Sequence, residues 1–449
     1  MPTQPEKARA LAAAFGDAAG GQLAPSGIPI EEIAERYGTP FYLYDAGLIT
    51  ARVRAVRTAL GTEVSYSVKA NPSLAVCQLL ASEEGVGAEV ASAGELALAL
   101  AAGFDPDDIL FAGPGKTDDE LVRLVEAGIL ADNIESLAEI DRLAAVAERA
   151  GRRQGVGLRL NPEAQLLGAQ MRMGGTASQF GIDEAELDEA VTRVQGHASL
   201  ELRGIHVYTA TQVFGVEPLL EHCRNILDLA LRAADRAGAP LQVIDFGGGF
   251  GIPYFEGGEP FDLDRFGAGF RALLDEYRGN PGLAGCRFIF ELGRYLVADA
   301  GVYVMRAIDR KVTRDKAFLV TDGGMNHHLT ATGNMGQVFR KAFPLLNLSR
   351  LDGSGEETIT VTGPLCTPLD SFGEVSLAAP TVGDLIGVLS SGAYGYSASN
   401  LGFLSHPTPA EVMVWRGETH LLRPAGEPED VLRGQTGLPA FTKESGRAG

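Results

Sequence analysis

Two hydrophobic rhythms alternate along the chain from about position 60. Short apolar runs of strand length recur: VSYSVK (64–69), AEVAS (88–92), ILFAGP (109–114), LADNI (130–134), GVGLRLN (155–161), LRGIHVYTA (202–210), QVIDFGGG (242–249) and FIFELG (288–293). They predict buried strands. Between them lie SLAVCQLLASEEG, GELALALAAGF, DDELVRLVEAG, LAEIDRLAAVAERAG and VEPLLEHCRNILDLALRAADRAG, whose apolar residues repeat at three and four. Several stop at glycine, as helices do. Strand and helix in strict alternation imply a parallel sheet. Eight strands is the number that closes a TIM-type (β/α) barrel. An open doubly wound α/β sheet is the alternative.

Past about Gly301 the texture changes. VYVMRAIDRKV, KAFLVTDGG, ETITVTGPLC, DLIGVLS and EVMVWRGETHLL read as strands joined by turns, with few helices between. They predict a mainly antiparallel β domain, a barrel or sandwich. PFYLYDAGLI (40–49) precedes the first barrel strand and belongs with that domain or bridges the two. The expected organisation is an N-terminal segment, 1–45, partly mobile and joining the β domain. The α/β barrel follows over 46–301, the β domain over 302–435 and a loose tail over 436–449.

Charge narrows the partners. The chain of 449 residues carries a net charge of −20, which disfavours nucleic acid and anionic membrane. Cys77, Cys223, Cys286 and Cys366 form no CxxC pair, so neither a disulfide framework nor a metal site is expected, and a reducing compartment is. No basic leader with an apolar core and no 18-residue apolar run is present. The expected location is the cytoplasm.

In such a barrel the chemistry sits at the C-terminal strand ends. Strand one ends in Lys69, strand two carries Glu89 and ends in Ser92, and strand five carries Arg159. Strand six carries His206 and Tyr208, strand seven runs into Gly247, Gly248 and Gly249, and strand eight ends in Glu291 and Arg294. Each has a bland reading: a solvated lysine at a strand end, a tight glycine turn, an ion pair of Glu291 with Arg294. Converging on one mouth they offer a Schiff-base amine, an anion cradle and a carboxylate for a ring nitrogen. Those are the three requirements of pyridoxal phosphate.

The motifs YSVKANP, EVASAGEL, LRLNP, SQFGI, IDFGGGFGIPY, ELGRYLV, GPLCTPLD and GAYGYSASN together resemble, in order, those of the fold-type III pyridoxal-phosphate decarboxylases. This is the group of diaminopimelate and ornithine decarboxylase, and the likeness spans about residues 38–415. It implies that Lys69 carries the cofactor and that Gly247, Gly248, Gly249 and Arg294 hold its phosphate with Thr211 and Tyr394. It also implies that Glu291 keeps the ring nitrogen protonated and that Glu89 and Arg159 lie around ring and lysine. Residues matching Cys366 and Asp370 cross a dimer interface in this group. That makes Cys366 a candidate proton donor and the expected assembly a head-to-tail homodimer. Alanine racemases of the fold place an arginine where Glu291 stands, so racemisation is the weaker reading.

The departures bear on substrate. Tyr208 stands where diaminopimelate decarboxylases have a stacking histidine, Thr330 where they have an arginine for the distal end, and Thr367 where they have a glutamate for the distal amine. A site that reads a charged tail keeps a paired charge. The expected substrate is therefore an amino acid with a neutral or conjugated distal end, free or bound to a carrier protein, as in the biosynthetic-cluster members of the group. His327 or His328 is expected to line its pocket, though adjacent residues of an extended segment point apart and do not chelate. Arg340 and Lys341 are candidates for a carboxylate or a carrier's phosphopantetheine arm, or a solvated basic pair. The rival readings are diaminopimelate decarboxylase itself and a catalytically silent homologue acting as a binding protein.

Overall fold

A computed structural model describes residues 4–16, 21–163, 171–172, 177–255, 258–334 and 342–438. Arg340, Lys341 and most of the C-terminal tail lie outside them. All eight anticipated strands form: Glu63–Ser67, Val86–Val90, Ile109–Phe111, Ala131–Ile134, Gln154–Asn161, Leu200–His206, Val243–Asp245 and Arg287–Leu292. They pair in parallel, and the fourth pairs the fifth to close the ring. The closed barrel excludes the open sheet.

The helices start and stop where local chemistry dictates. Ser92 and Ser136 accept the N–H three residues on, and Thr117 with Glu120 completes a capping box, satisfying N–H groups that the first turn leaves orphaned. Gly103, Gly128 and Gly238 end their helices in the left-handed conformation. Helix Leu263–Tyr277 is locked to strands seven and eight by aromatics: Phe270 lies 5.1 Å from Phe246 and 4.9 Å from Phe290, ring to ring. Such a buried cluster adds about 0.5–1.5 kcal/mol per pair beyond its area. It fixes the two strand ends that carry the glycine run and Glu291.

The second domain is a nine-stranded, mostly antiparallel sheet. Phe41–Asp45 is one of its inner strands, antiparallel to Gly301–Thr313 and parallel to Ala410–Trp415. The segment 40–49 thus splits: its strand belongs to the β domain, and helix Ala46–Leu60 opens the barrel side. Helix Gln4–Phe15 buries Ala8, Ala12 and Phe15 in the β-domain core beside Val302, Leu346 and Leu385.

Candidate active site

Strand one stops short of the lysine. It ends at Ser67, and Lys69 rides on a single helical turn, Val68–Ala70. That turn is clamped to the β domain: the Tyr394 N–H donates to Ala70 at 2.7 Å, and Asn71 Nδ2 donates to Gly392 at 3.0 Å. The clamp aims Lys69 into a cavity of about 430 Å³ lined also by Glu89, Gly113, Arg159, Phe180, His206, Tyr208, Thr211, Glu291, Arg294, Thr330 and Tyr394. The lysine keeps 42% of its side-chain surface accessible within the cavity, whereas Glu89 keeps 2%. Lys69 Nζ lies 2.9 and 2.8 Å from the two Glu89 oxygens. Burial works to lower its pKa, but Glu89 and then Glu291 more than offset this, and the ammonium is held above its ordinary range.

The cavity floor is a cluster of buried ionisable groups: His206, Asp245 and Glu291. His206 Nε2 lies 3.1 Å from Glu291 Oε2. Burial raises the Asp245 carboxyl well above its usual range, reinforced by Glu291 beside it. Burial would raise Glu291 too, but His206 and a hydrogen bond from Asp245 carry it down to about 2. The surroundings thus push the two carboxyls in opposite directions, Asp245 toward its neutral form and Glu291 toward its charged form. Their ligand atoms lie within 4.8 Å of one another, a spacing a cation would also accept.

At the other end stands Arg294. Its guanidinium lies 4.4 Å from the centre of the Tyr394 ring and donates to Tyr254 Oη at 3.1 Å, and it has no carboxylate partner among the described residues. The bland alternative, an ion pair with Glu291, is not made: Glu291 meets His206. The glycine run lies behind this end rather than in its wall. Gly247 and Gly249 sit at φ +62° and +93°, and a Cβ on Gly248 would meet the Glu291 carbonyl oxygen at 1.9 Å. Only glycine fits this turn.

Arg159 is held by Glu135 at 2.7 Å and lies 5.0 Å over the Phe180 ring. Thr330 and Tyr394 enter the wall from the β domain, joined by a 2.9 Å bond from the Thr330 hydroxyl to the Tyr394 carbonyl. The remaining expected residues lie elsewhere in this chain. His327 and His328 do not line the cavity: both are buried in the β domain. His327 accepts from Tyr303 at 3.0 Å and donates to the Pro407 carbonyl at 2.9 Å, and His328 meets Ser391 at 2.9 Å. Asp370 is tied into its own loop, accepting the N–H groups of Met325 at 2.7 Å and Leu365 at 2.8 Å. Cys366 is exposed and Thr367 half-buried on that loop, outside the cavity wall of their own chain. Asp245, Glu135 and Phe180 are site residues that the sequence reading did not single out, and His206, placed at the mouth, was given no role. Their signal was present in HVY, IDFGGG, NIES and SQFG, directly beside the residues that were chosen.

Some polar atoms here have no partner among the described residues: Glu291 Oε1, Arg294 Nε and both His206 ring nitrogens. Buried polar atoms are normally satisfied, so orphans clustered in a cavity mark a place for a polar ligand. A pyridine N–H suits Glu291, an anion suits Arg294, and an aldehyde suits the Lys69 amine.

A parallel barrel with a lysine, an unpaired arginine and a buried carboxylate around one cavity defines the pyridoxal-phosphate enzymes of this architecture. Residues 46–298 match the pyridoxal-binding domain of the pyridoxal-dependent decarboxylases, and the chain belongs to that family. It is 37% identical to the L-glutamyl-[BtrI acyl-carrier protein] decarboxylase of Niallia circulans, over 90% of this chain and 96% of that one. It is 33% identical to the diaminopimelate decarboxylase of Zymomonas mobilis, over 92% and 96%. The crystal structure of diaminopimelate decarboxylase from Helicobacter pylori, complexed with L-lysine, superposes with a TM-score of 0.80 at 28% identity, covering 90% of this chain and 98% of that one. That from M. jannaschii superposes with a TM-score of 0.88 at 25% identity, covering 96% and 99%. The protein is a pyridoxal-phosphate-dependent amino acid decarboxylase.

Proposed function

We propose that this decarboxylase acts on an amino acid whose distal end is neutral or conjugated, carried as a thioester on a carrier protein or acylated. The observation that carries this reading is Thr330. It lies in the cavity wall with its hydroxyl turned to the Tyr394 carbonyl. The wall's cations, Lys69, Arg159 and Arg294, are engaged by Glu89, Glu135 and the tyrosine pair, or await the cofactor. A charged tail would be desolvated there without a partner, at several kcal/mol. The 37% identity to a glutamyl-carrier-protein decarboxylase supports the same reading.

Lys69, Arg294 and Glu291 would hold the cofactor, with the glycine turn backing the Arg294 end of the cavity. When bound, pyridoxal phosphate supplies the sink for the electron pair that CO₂ leaves behind. The chain does the rest. Glu89 is placed to take the proton that Lys69 must shed before its amine can bond. Glu291, kept anionic by His206 and Asp245, holds a proton on the ring nitrogen. Tyr394 and Thr330 form the wall of the cavity on the β-domain side. Cys366 would return a proton from the partner subunit of a homodimer.

The deciding assay follows CO₂ release from meso-diaminopimelate, free glutamate, N-acylated diamino acids and glutamyl-carrier-protein thioester. The expected result is turnover of the conjugated substrates and little from meso-diaminopimelate. Efficient lysine formation from meso-diaminopimelate would overturn it in favour of the second reading, diaminopimelate decarboxylase, which the structural likeness supports. The shared site is tested by mixing inactive Lys69→Ala and Cys366→Ala proteins. One wild-type site in each mixed dimer restores about a quarter of full activity, and no restoration would place Cys366 elsewhere.

A further inference from the structure

Glu135 does not line the cavity, yet three segments of the wall hang from its carboxylate. It directly follows barrel strand four and is buried. Oε1 accepts from Arg159 at 2.7 Å and from the Gly113 N–H at 2.7 Å, and Oε2 accepts from the Gly181 N–H at 3.1 Å. Gly113 follows strand three, Arg159 belongs to strand five, and Gly181 follows Phe180, the ring beneath the guanidinium. Gly113, Arg159 and Phe180 all face the cavity. The anchor is itself anchored: the Glu135 N–H donates to Glu139 Oε2 at 3.1 Å, and the other Glu139 oxygen is held by Lys116, a buried ammonium that also meets Asp132 at 2.8 Å.

We propose that Glu135 is a positioning residue of this decarboxylase, setting Arg159 and the Gly113 and Phe180 segments as one wall of the cofactor cavity. The proposal rests on the reading that this cavity holds pyridoxal phosphate. Its chemistry is specific because each of the three partners of the side chain is a donor. A carboxylate accepts from all three. A carboxamide of the same shape places NH₂ against Gly181 in one orientation, and against Arg159 and Gly113 in the other. One donor faces a donor either way, and a buried group is left unsatisfied.

The test begins with cofactor-free protein, titrated with pyridoxal phosphate by visible absorbance and by calorimetry. Steady-state kinetics on the loaded enzyme follow. Glu135→Gln is expected to bind the cofactor about 10–100-fold more weakly, as is Arg159→Met. The double variant is expected to be no worse than the poorer single, because both edits remove one interaction. A purely structural role would instead lower the melting temperature, leave affinity and KM unmoved, and give additive losses. Cofactor affinity and KM of Glu135→Gln within about twofold of wild type, or additive losses in the double variant, would overturn the proposal. Should Glu135→Gln not fold, Glu135→Asp carries the test: it keeps the charge but is one methylene too short for all three donors, and wild-type affinity in that variant sinks the idea. A wild-type protein that binds no pyridoxal phosphate defeats the cofactor reading itself. Normal wild-type binding with an unaffected Glu135→Gln defeats only this inference.

Discussion

The barrel mouth and the core of the β domain both bury histidine, and they treat it in opposite ways. His206 lies against Glu291 with neither ring nitrogen in a formed hydrogen bond to a described residue. His327 and His328 sit among tyrosines with their ring nitrogens engaged: Tyr303 and Pro407 for the first, Ser391 and the Ala331 N–H for the second. Burial lowers both, to about 4 and about 3, so they are neutral. The Ser391 hydroxyl donates to Val388, which makes His328 Nε2 the donor in their contact. One region is complete as folded; the other holds charge and unmet hydrogen-bonding capacity. Burial alone does not distinguish a site from a core. What is left unsatisfied does.

The contrast breaks most sharply under substitution. Lys69→Ala removes the only amine among the described residues that line the cavity and is expected to abolish the yellow cofactor absorbance and cut turnover by at least about three orders of magnitude. Its urea midpoint should stay near wild type. Retained colour with wild-type activity would end the assignment. Glu291→Gln should cost about 10²–10³-fold in kcat, read against a small change in melting temperature. His328→Gln is expected to reverse the pattern: a loss of about 1–3 kcal/mol in stability from the unpaired groups it leaves, with near-normal kcat per bound cofactor.

A finer edit tests who holds the proton on the cavity floor. Asp245 accepts from the Gly247 N–H at 2.9 Å and is raised well above the usual carboxylate range. If it is the neutral partner of Glu291, Asp245→Asn keeps the acceptor for the Gly247 N–H and offers an N–H on the other side. Activity should stay within about threefold of wild type, while Asp245→Leu, which satisfies neither, should lose about tenfold or more. Equal damage in both would mean that Asp245 acts as a charge.

The eight barrel strands were legible because period-two and period-3.6 patterns are written by burial itself, and both Lys69 and Glu291 stand at the ends of such runs. The register within a strand end was not. Lys69 sits on a turn after its strand, and His206, rather than Tyr208, reaches Glu291. His327 and His328 stand in a turn after Gly324 rather than in an extended segment, and adjacency sets directions, not depth, so the sequence does not show that both are consumed within the β domain. The motifs that carry Glu135 and Asp245 are visible in the sequence, but their roles are not, for a related reason. Each acts on a neighbour from a different strand, and such pairs exist only once the barrel closes.

The smallest expected effect concerns pH and separates the two regions once more. His222, His327 and His328 are all lowered by burial from an ordinary 6.5, to about 4, about 4 and about 3. Below pH 6.5 the unfolded chain binds protons that the folded chain refuses, so stability falls as pH falls and continues falling toward those lower values. Each histidine contributes a slope of up to about 1.4 kcal/mol per pH unit. Urea unfolding between pH 7 and pH 5 should show wild type losing more stability than His328→Gln, by about one such slope. Identical slopes in the two proteins would mean that His328 is charged in the folded state, and the distinction between a completed core and an open site would lose its clearest electrostatic support. His206→Gln should instead disturb cofactor binding, because His206 lines the cavity 3.1 Å from Glu291.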